Sequence, residues 1–427
     1  MTTKTLISMG ALTAVALVAS PANGQWGQFG GPAQDFKASC GTLAMEWPDE
    51  GPKQLWSRDL CEGYSGIVMD GDVLYTMGRE GDKESVLAIN SKDGKTIWQQ
   101  GYDSPPREGH VREFGEGPRG TPTIDGDRIY TIGVSGKMHC LNMKDGKILW
   151  SHDLWEEYKG NFLNHGYSSS VFVYGDTAIA LVGGKGHSIV AFDKKTGKEV
   201  WKGLDFDNSY SSPKLIKVDG EEHLVCFMAS EVIAINPKNG KLLWSFEHKN
   251  RWGQNICQPI IGDDHMVFIT SVDTAGSKGL KLSKKDGKFE VEEVWANRKV
   301  AVHHSNAIRV GDYIYTSTGG QGPGLFFAVN AKTGDMAYRK RGFSKSTLLM
   351  AGDKFILLDE DGKLGLVEAT PEKFDILAQA KVLDRVSWTV PTLVGAKLYL
   401  RDKKKLVALE LGSKAYATAA GEAKAAS

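Results

Sequence analysis

"AFDKKTGKEVW" occupies residues 191–201, and close copies, "AINSKDGKTIW" and "AINPKNGKLLW", stand at 88–98 and 234–244. Each residue type in the phrase has a physical use. Ala191 is small and lets neighbouring sheets approach. The Asp193 carboxylate can accept hydrogen bonds from the backbone of a following turn. Gly197 can take the left-handed conformation that a tight hairpin demands. Trp201 offers a large apolar body and one N–H that needs an acceptor. Burying one indole at each junction, at about 25 cal/mol per Å² over roughly 150–250 Å², contributes several kcal/mol before entropy is charged. The phrase therefore reads as an architectural joint rather than a ligand site.

Working outward, the terminal aromatics of the phrase are Trp98, Trp150, Trp201, Trp244, Trp295 and Tyr338, spaced by 52, 51, 43, 51 and 43 residues. Such periods suit a four-stranded propeller blade with loops of varying length. Upstream in each unit is a Gly-Asp turn followed by an alternating strand, as in "MDGDVLYTMG" at 69–78 and "IDGDRIYTIG" at 124–133. Units run at about 63–102, 119–154, 165–204, 209–249, 255–299, 302–343 and 345–383. The stretch 385–411 has three strands and no closing Trp, whereas "PKQLWSRDL" at 52–60 is one strand with Trp56 and no partners. Joining them closes the ring without an open edge. The prediction is an all-β, eight-bladed β-propeller of four-stranded antiparallel blades closed by an N-terminal strand. Seven blades stay open, because the units after Tyr338 are degenerate. The division expected is a signal peptide at 1–24, a lead-in at 25–51, the propeller at 52–411 and a disordered tail at 412–427.

Composition narrows the setting. The 427 residues are 41% hydrophobic and 24% charged, with 50 Gly and a formal net charge of zero. No basic excess exists to hold a phosphate backbone, which argues against nucleic acid. The first 24 residues have Lys4, a short apolar stretch and small residues before Gln25, the layout of a secretory leader without a lipobox. No later run reaches about 18 apolar residues. A periplasmic or secreted protein without a membrane span is expected, and a monomer. Export permits disulfides. Of Cys40, Cys61, Cys140, Cys226 and Cys257, the first two are the candidate pair, and Cys140 and Cys226 read as buried thiols.

The Ala-x-Asp-x-x-Thr-Gly-x-x-x-Trp phrase, with Ala191, Asp193, Thr196, Gly197 and Trp201 all in place, resembles the tryptophan-docking motif of the pyrroloquinoline quinone (PQQ) repeat propellers. The likeness runs from about Trp47 to Leu411. "WGQFGGPAQDF" at 26–36, "EGYSG" at 62–66 and "SYSSP" at 209–213 also resemble exported bacterial members. That superfamily holds quinoprotein dehydrogenases, with PQQ and usually calcium in the central funnel, and non-catalytic propellers that bind protein partners. The leading expectation is a binding or scaffold module for a protein or saccharide partner. The alternative is a PQQ-dependent dehydrogenase oxidising an alcohol or sugar, so enzymatic activity is left undecided. The adjacent Cys pair of the large alcohol dehydrogenases is missing, as is a haem C-x-x-C-H.

A quinone site needs cations for carboxylates, an aromatic face, and oxygen ligands for calcium. The first residues of the innermost strands are the funnel candidates: Tyr64, Arg119, Tyr167, Tyr210, Gln258, His304, Lys345 and Trp388. Arg119 and Lys345 could hold carboxylates, Trp388 could stack, and Glu113, Glu116, Asn164, Asn208 and Asn306 could offer oxygens. The same residue types also line a water-filled channel, which is the preferred reading. Alternation along a strand would turn His303 and His304 to opposite faces, so no metal is assigned to them. His165 belongs at the same mouth. The insert "DSPPREGHVREFGEGPRG" at 103–120, with His110, is a loop long enough to carry binding. "VGGKG" at 182–186 reads as a turn, and "RDKKKL" at 401–406 as solvated edge charge.

Overall fold

The computed structural model describes residues 26–272, 275–319 and 324–413. Eight antiparallel sheets are arranged around a ring. Blade one is typical, with strands Val68–Asp70, Val73–Glu80, Lys83–Asn90 and Thr96–Asp103 in spatial order. Strand Lys53–Asp59 pairs antiparallel with Lys405–Glu410 and completes blade eight, so the two ends of the chain close the ring together. The expected leader lies outside the described residues. So does most of the expected tail, although Ser413 still donates to the Thr42 carbonyl.

The repeated phrase is a joint in the structure. Asp193 accepts from the backbone N–H groups of Lys195 and Thr196 and so builds the turn. Ala191 lies directly across from Trp201, next to a bulge, and every other blade except blade seven repeats this small-residue-opposite-aromatic pairing. The indole then leans on the next blade. Trp56, Trp98, Trp150 and Trp295 donate to the carbonyls of Ser91, Met143, Lys194 and Ala331, each one residue past the Asn or Asp of the following phrase. Each ring also covers the turn glycine there: Gly94, Gly146, Gly197 and Gly334. Glycine is thus required twice, for its positive φ and for the closeness of the indole.

Two joints differ. Trp201 covers Gly240, but its N–H has no partner among the described residues. Trp244 bonds Nδ1 of His223 in its own blade, because blade five lacks the phrase and carries a long hairpin instead, Gly276–Lys285 and Lys288–Asn297. Phe289 of that hairpin packs edge-on against His223.

The innermost strands splay too far to pair, and short hydroxyl side chains bridge them. Thr123 donates to Val171 O, Ser169 to Ser211 O, and Thr389 to Tyr64 O. The lead-in crosses the ring at the ends of these strands. Trp26 pairs with Met69 of blade one, and Gly27 O accepts from Ile124 of blade two. The Gln34 side chain bonds Pro213 and Leu215 of blade four. Lys37–Ala38 joins blade seven as a parallel fifth strand.

Two expectations are corrected. Cys40 and Cys61 are both free thiols, one beside Gly352 of blade seven and the other beside Gly78 of blade one. The 401–406 run is not wholly solvated: Arg401 is 0% exposed. Its guanidinium donates to the carbonyls of Cys61, Gly63, Ser65 and Met77 and to the Thr76 hydroxyl, fastening blade eight to blade one. Cys140 and Cys226 are buried thiols, as expected.

Candidate functional site

The ring encloses a cavity of about 740 Å³. Trp26, Phe29 and Gly30 of the lead-in form its floor, so the funnel is blind at that end. The other end is its mouth, where the innermost strands begin. Of the eight candidate residues, seven line the cavity: Tyr64, Arg119, Tyr210, Gln258, His304, Lys345 and Trp388. Tyr167 does not. It is buried between blades two and three, under the backbone of Gly136, where a Cβ would stand 2.8 Å from its ring.

Trp388 is the hub of the wall. Tyr64 stacks on it at 5.2 Å, His304 lies at 4.5 Å and Phe114 at 5.7 Å. Arg119 reaches the carbonyls of His165 and Gly115, both at 2.8 Å, and among the described residues no carboxylate lies within ion-pair distance. Burial pulls its pKa down, partly offset by the Tyr64 and Tyr210 hydroxyls. Lys345 is ion-paired with Glu360 at 3.0 Å. Burial pushes the Tyr64 and Tyr210 phenols up to about 12, so both are neutral donors at physiological pH.

His303 and His304 precede strand Ala307–Val310 and lie in a bend, so strand alternation does not separate them. Both line the cavity, with their Nδ1 atoms 3.4 Å apart. Burial, then the neighbouring His303 and Lys345, hold His304 down at about 3, and it stays neutral. Among the described residues no three His, Cys, Asp or Glu side chains gather as a metal site.

The proposed oxygen donors are mostly engaged elsewhere. Asn306 clasps Leu348 through both its N–H and C=O. Asn208 bonds Leu181 O and Ser209 N, and Asn164 accepts from the Tyr210 hydroxyl at 2.6 Å. Glu116 pairs with Arg112, and Glu113 is exposed.

Sequence reasoning missed three residues at the mouth. Phe114, from the 103–120 insert, is 41% exposed, and Trp252, on the loop that joins blades four and five, is 59% exposed. Arg251 stacks its guanidinium over the Trp252 ring at 4.6 Å. An aromatic inside a Gly-rich or polar loop was the available signal in both cases. The insert folds back on the mouth: Val111 N–H donates to Asn164 O, and Arg107 is held by Asp153 and Glu156.

Fold and site together define a PQQ-like propeller with a blind central funnel. Residues 82–340, more than half of the chain, match the family described as outer membrane protein assembly factor BamB, and the chain belongs to that family. It is 29% identical over 174 residues to the quinohemoprotein alcohol dehydrogenase ADH-IIG of Pseudomonas putida, covering 38% of this chain and 22% of that one. It is 26% identical over 139 residues to BamB of Burkholderia pseudomallei, covering 32% of each. The matches thus span about a fifth and a third of those curated relatives. In three dimensions the chain is similar to BamB of Moraxella catarrhalis (TM-score 0.58, 16% identity, 84% of this chain and 97% of that one). It is also similar to the ADHIIG dehydrogenase from Pseudomonas putida HK5 (TM-score 0.62, 12% identity, 91% and 80%). At those identities the structural likeness speaks for the fold.

The residues present fit PQQ poorly. Three rings already crowd Trp388, and Lys345 is neutralised by Glu360. No Asp or Glu is among the described residues lining the cavity, so none is placed to accept an alcohol proton or to ligate calcium.

Proposed function

We propose that this is an exported, non-catalytic binding propeller that takes a protein or saccharide partner at the funnel mouth. The observation that carries this reading is the mouth itself. Exposed Phe114 and Trp252 flank a blind pocket whose walls carry cations but, among the described residues, no carboxylate. Rigid aromatic side chains beside a guanidinium are the usual anchors of recognition surfaces. Here they sit on loops held by a stiff ring, as binding residues commonly do. The leader-like layout of residues 1–24 supports export. The repeated phrase then serves as the tryptophan-docking joint that keeps the ring rigid. The dehydrogenase reading is less favoured because the funnel residues are committed to one another.

A peptide and glycan array probed with the wild-type protein and with the Phe114→Ala/Trp252→Ala variant tests this. Ligands held by the wild type and lost by the folded double variant are expected. Identical profiles for the two proteins would refute a role for the mouth.

A further inference from the structure

Resting on the binding role just proposed, we infer that the blind funnel takes a small polyhydroxylated anion, an acidic sugar of the uronate type. Charge comes first. Arg119, Arg251 and Lys345 are the cations among the described lining residues, and only Lys345 has a carboxylate partner. Arg119 makes its hydrogen bonds to neutral carbonyls, and Arg251 lies over the Trp252 ring. Among the described residues, the two guanidinium groups of the pocket therefore have no ion-pair partner, and Glu84 and Glu62 act on Arg119 only from farther off. A guanidinium's planar fork suits a carboxylate, which it can bind through two parallel hydrogen bonds.

Polar atoms left without partners point to hydroxyl groups. Gln258 is 2% exposed; its amide N–H₂ is fixed by Ser212 O and Pro213 O, which leaves Oε1 as a buried acceptor with no partner among the described residues. The Trp388 indole N–H is a buried donor in the same condition. Buried polar atoms of this kind are rare in folded proteins and call for a ligand or ordered water. One needs a donor and the other an acceptor, and a sugar hydroxyl supplies both. Nearby, the walls carry the hydroxyls of Thr121, Ser170 and Ser212.

Shape agrees. The volume of about 740 Å³ lies in the range of small-molecule sites. The lead-in floor stops a polymer from threading through, so one sugar, or the end of a chain, can enter. The exposed rings of Phe114 and Trp252 would cover the apolar face of a pyranose at the mouth.

Calorimetry on the full chain with galacturonate and with galactose, the neutral parent, tests the inference. The uronate is expected to bind one to one and about tenfold more tightly, the size of one charge-assisted contact. Added salt should erode that advantage. Arg119→Gln should remove the advantage, costing the uronate more affinity than it costs galactose. Trp252→Ala, at a position too exposed to threaten folding, should weaken both sugars. Equal affinities, salt-independent binding of the uronate, or a uronate advantage retained in folded Arg119→Gln would overturn the inference. So would the absence of heat with both sugars. In that case the array would judge the mouth separately, through peptide ligands.

Discussion

Replacing Gly146 by alanine should loosen the joint between blades one and two, whereas the same change at Gly126 should be mild. Both glycines belong to blade two and both have positive φ, 73° and 61°. Either substitution therefore carries the left-handed penalty, roughly 1–2 kcal/mol. They differ in what a Cβ would meet. At Gly126 none of the described residues comes within 4 Å, but at Gly146 the new atom would stand 2.5 Å from Cε3 of Trp98. The indole cannot retreat without stretching its 2.9 Å hydrogen bond to Met143 O. Overpacking adds about 1–3 kcal/mol, and a weakened hydrogen bond about 0.5–1.5 kcal/mol more. Gly146→Ala should thus be the more destabilising by about 2–4 kcal/mol. Urea denaturation of the two variants, read through Trp fluorescence, measures the gap, and hydrogen exchange should locate it along Lys83–Asn90 and Thr96–Asp103. Equal losses in the two variants would show that the phrase glycine serves its turn alone and that the indole joint is not what it supports.

Other outcomes follow from the same geometry. Arg401→Met should cost about 3–5 kcal/mol, because it strands buried carbonyls of blade one; limited proteolysis should then open the chain near residues 53–59 first, and a loss below about 1 kcal/mol would contradict the closing role. His139 and His248 are buried, and burial holds their pKa at about 4. Between about pH 6.5 and 4 the unfolded chain takes up protons that the folded chain refuses, so stability should fall as pH drops through that window. Roughly 1–3 kcal/mol per histidine is expected, and His248→Gln should flatten the dependence of the urea midpoint on pH.

The ring was legible because its determinants are local and repeated. A glycine at the turn, an Asx oxygen two residues before the next N–H, and an aromatic at the strand end recur at a readable period. The closing strand was legible because Trp56 had no partner strand nearby. What escaped depends on distant partners. Arg401 looks solvated among lysines, yet its acceptors lie more than 320 residues away. Gln34 fixes the floor through Pro213, 179 residues on. Tyr167 occupies the register of a funnel residue, but Gly136 of blade two leaves a gap that its ring fills. His303 and His304 read as a strand and lie in a bend. Phe114 and Trp252 sit in loops outside the repeat, where no register could assign them.

The most direct measurement is a calorimetric titration of the full chain with PQQ in the presence of calcium, followed by dye reduction with a panel of alcohols and sugars. With Trp388 crowded by Tyr64, His304 and Phe114, and Lys345 held by Glu360, the expected result is no stoichiometric heat and no turnover. Tight one-to-one binding accompanied by dye reduction would contradict the binding-propeller account and make the funnel a dehydrogenase site.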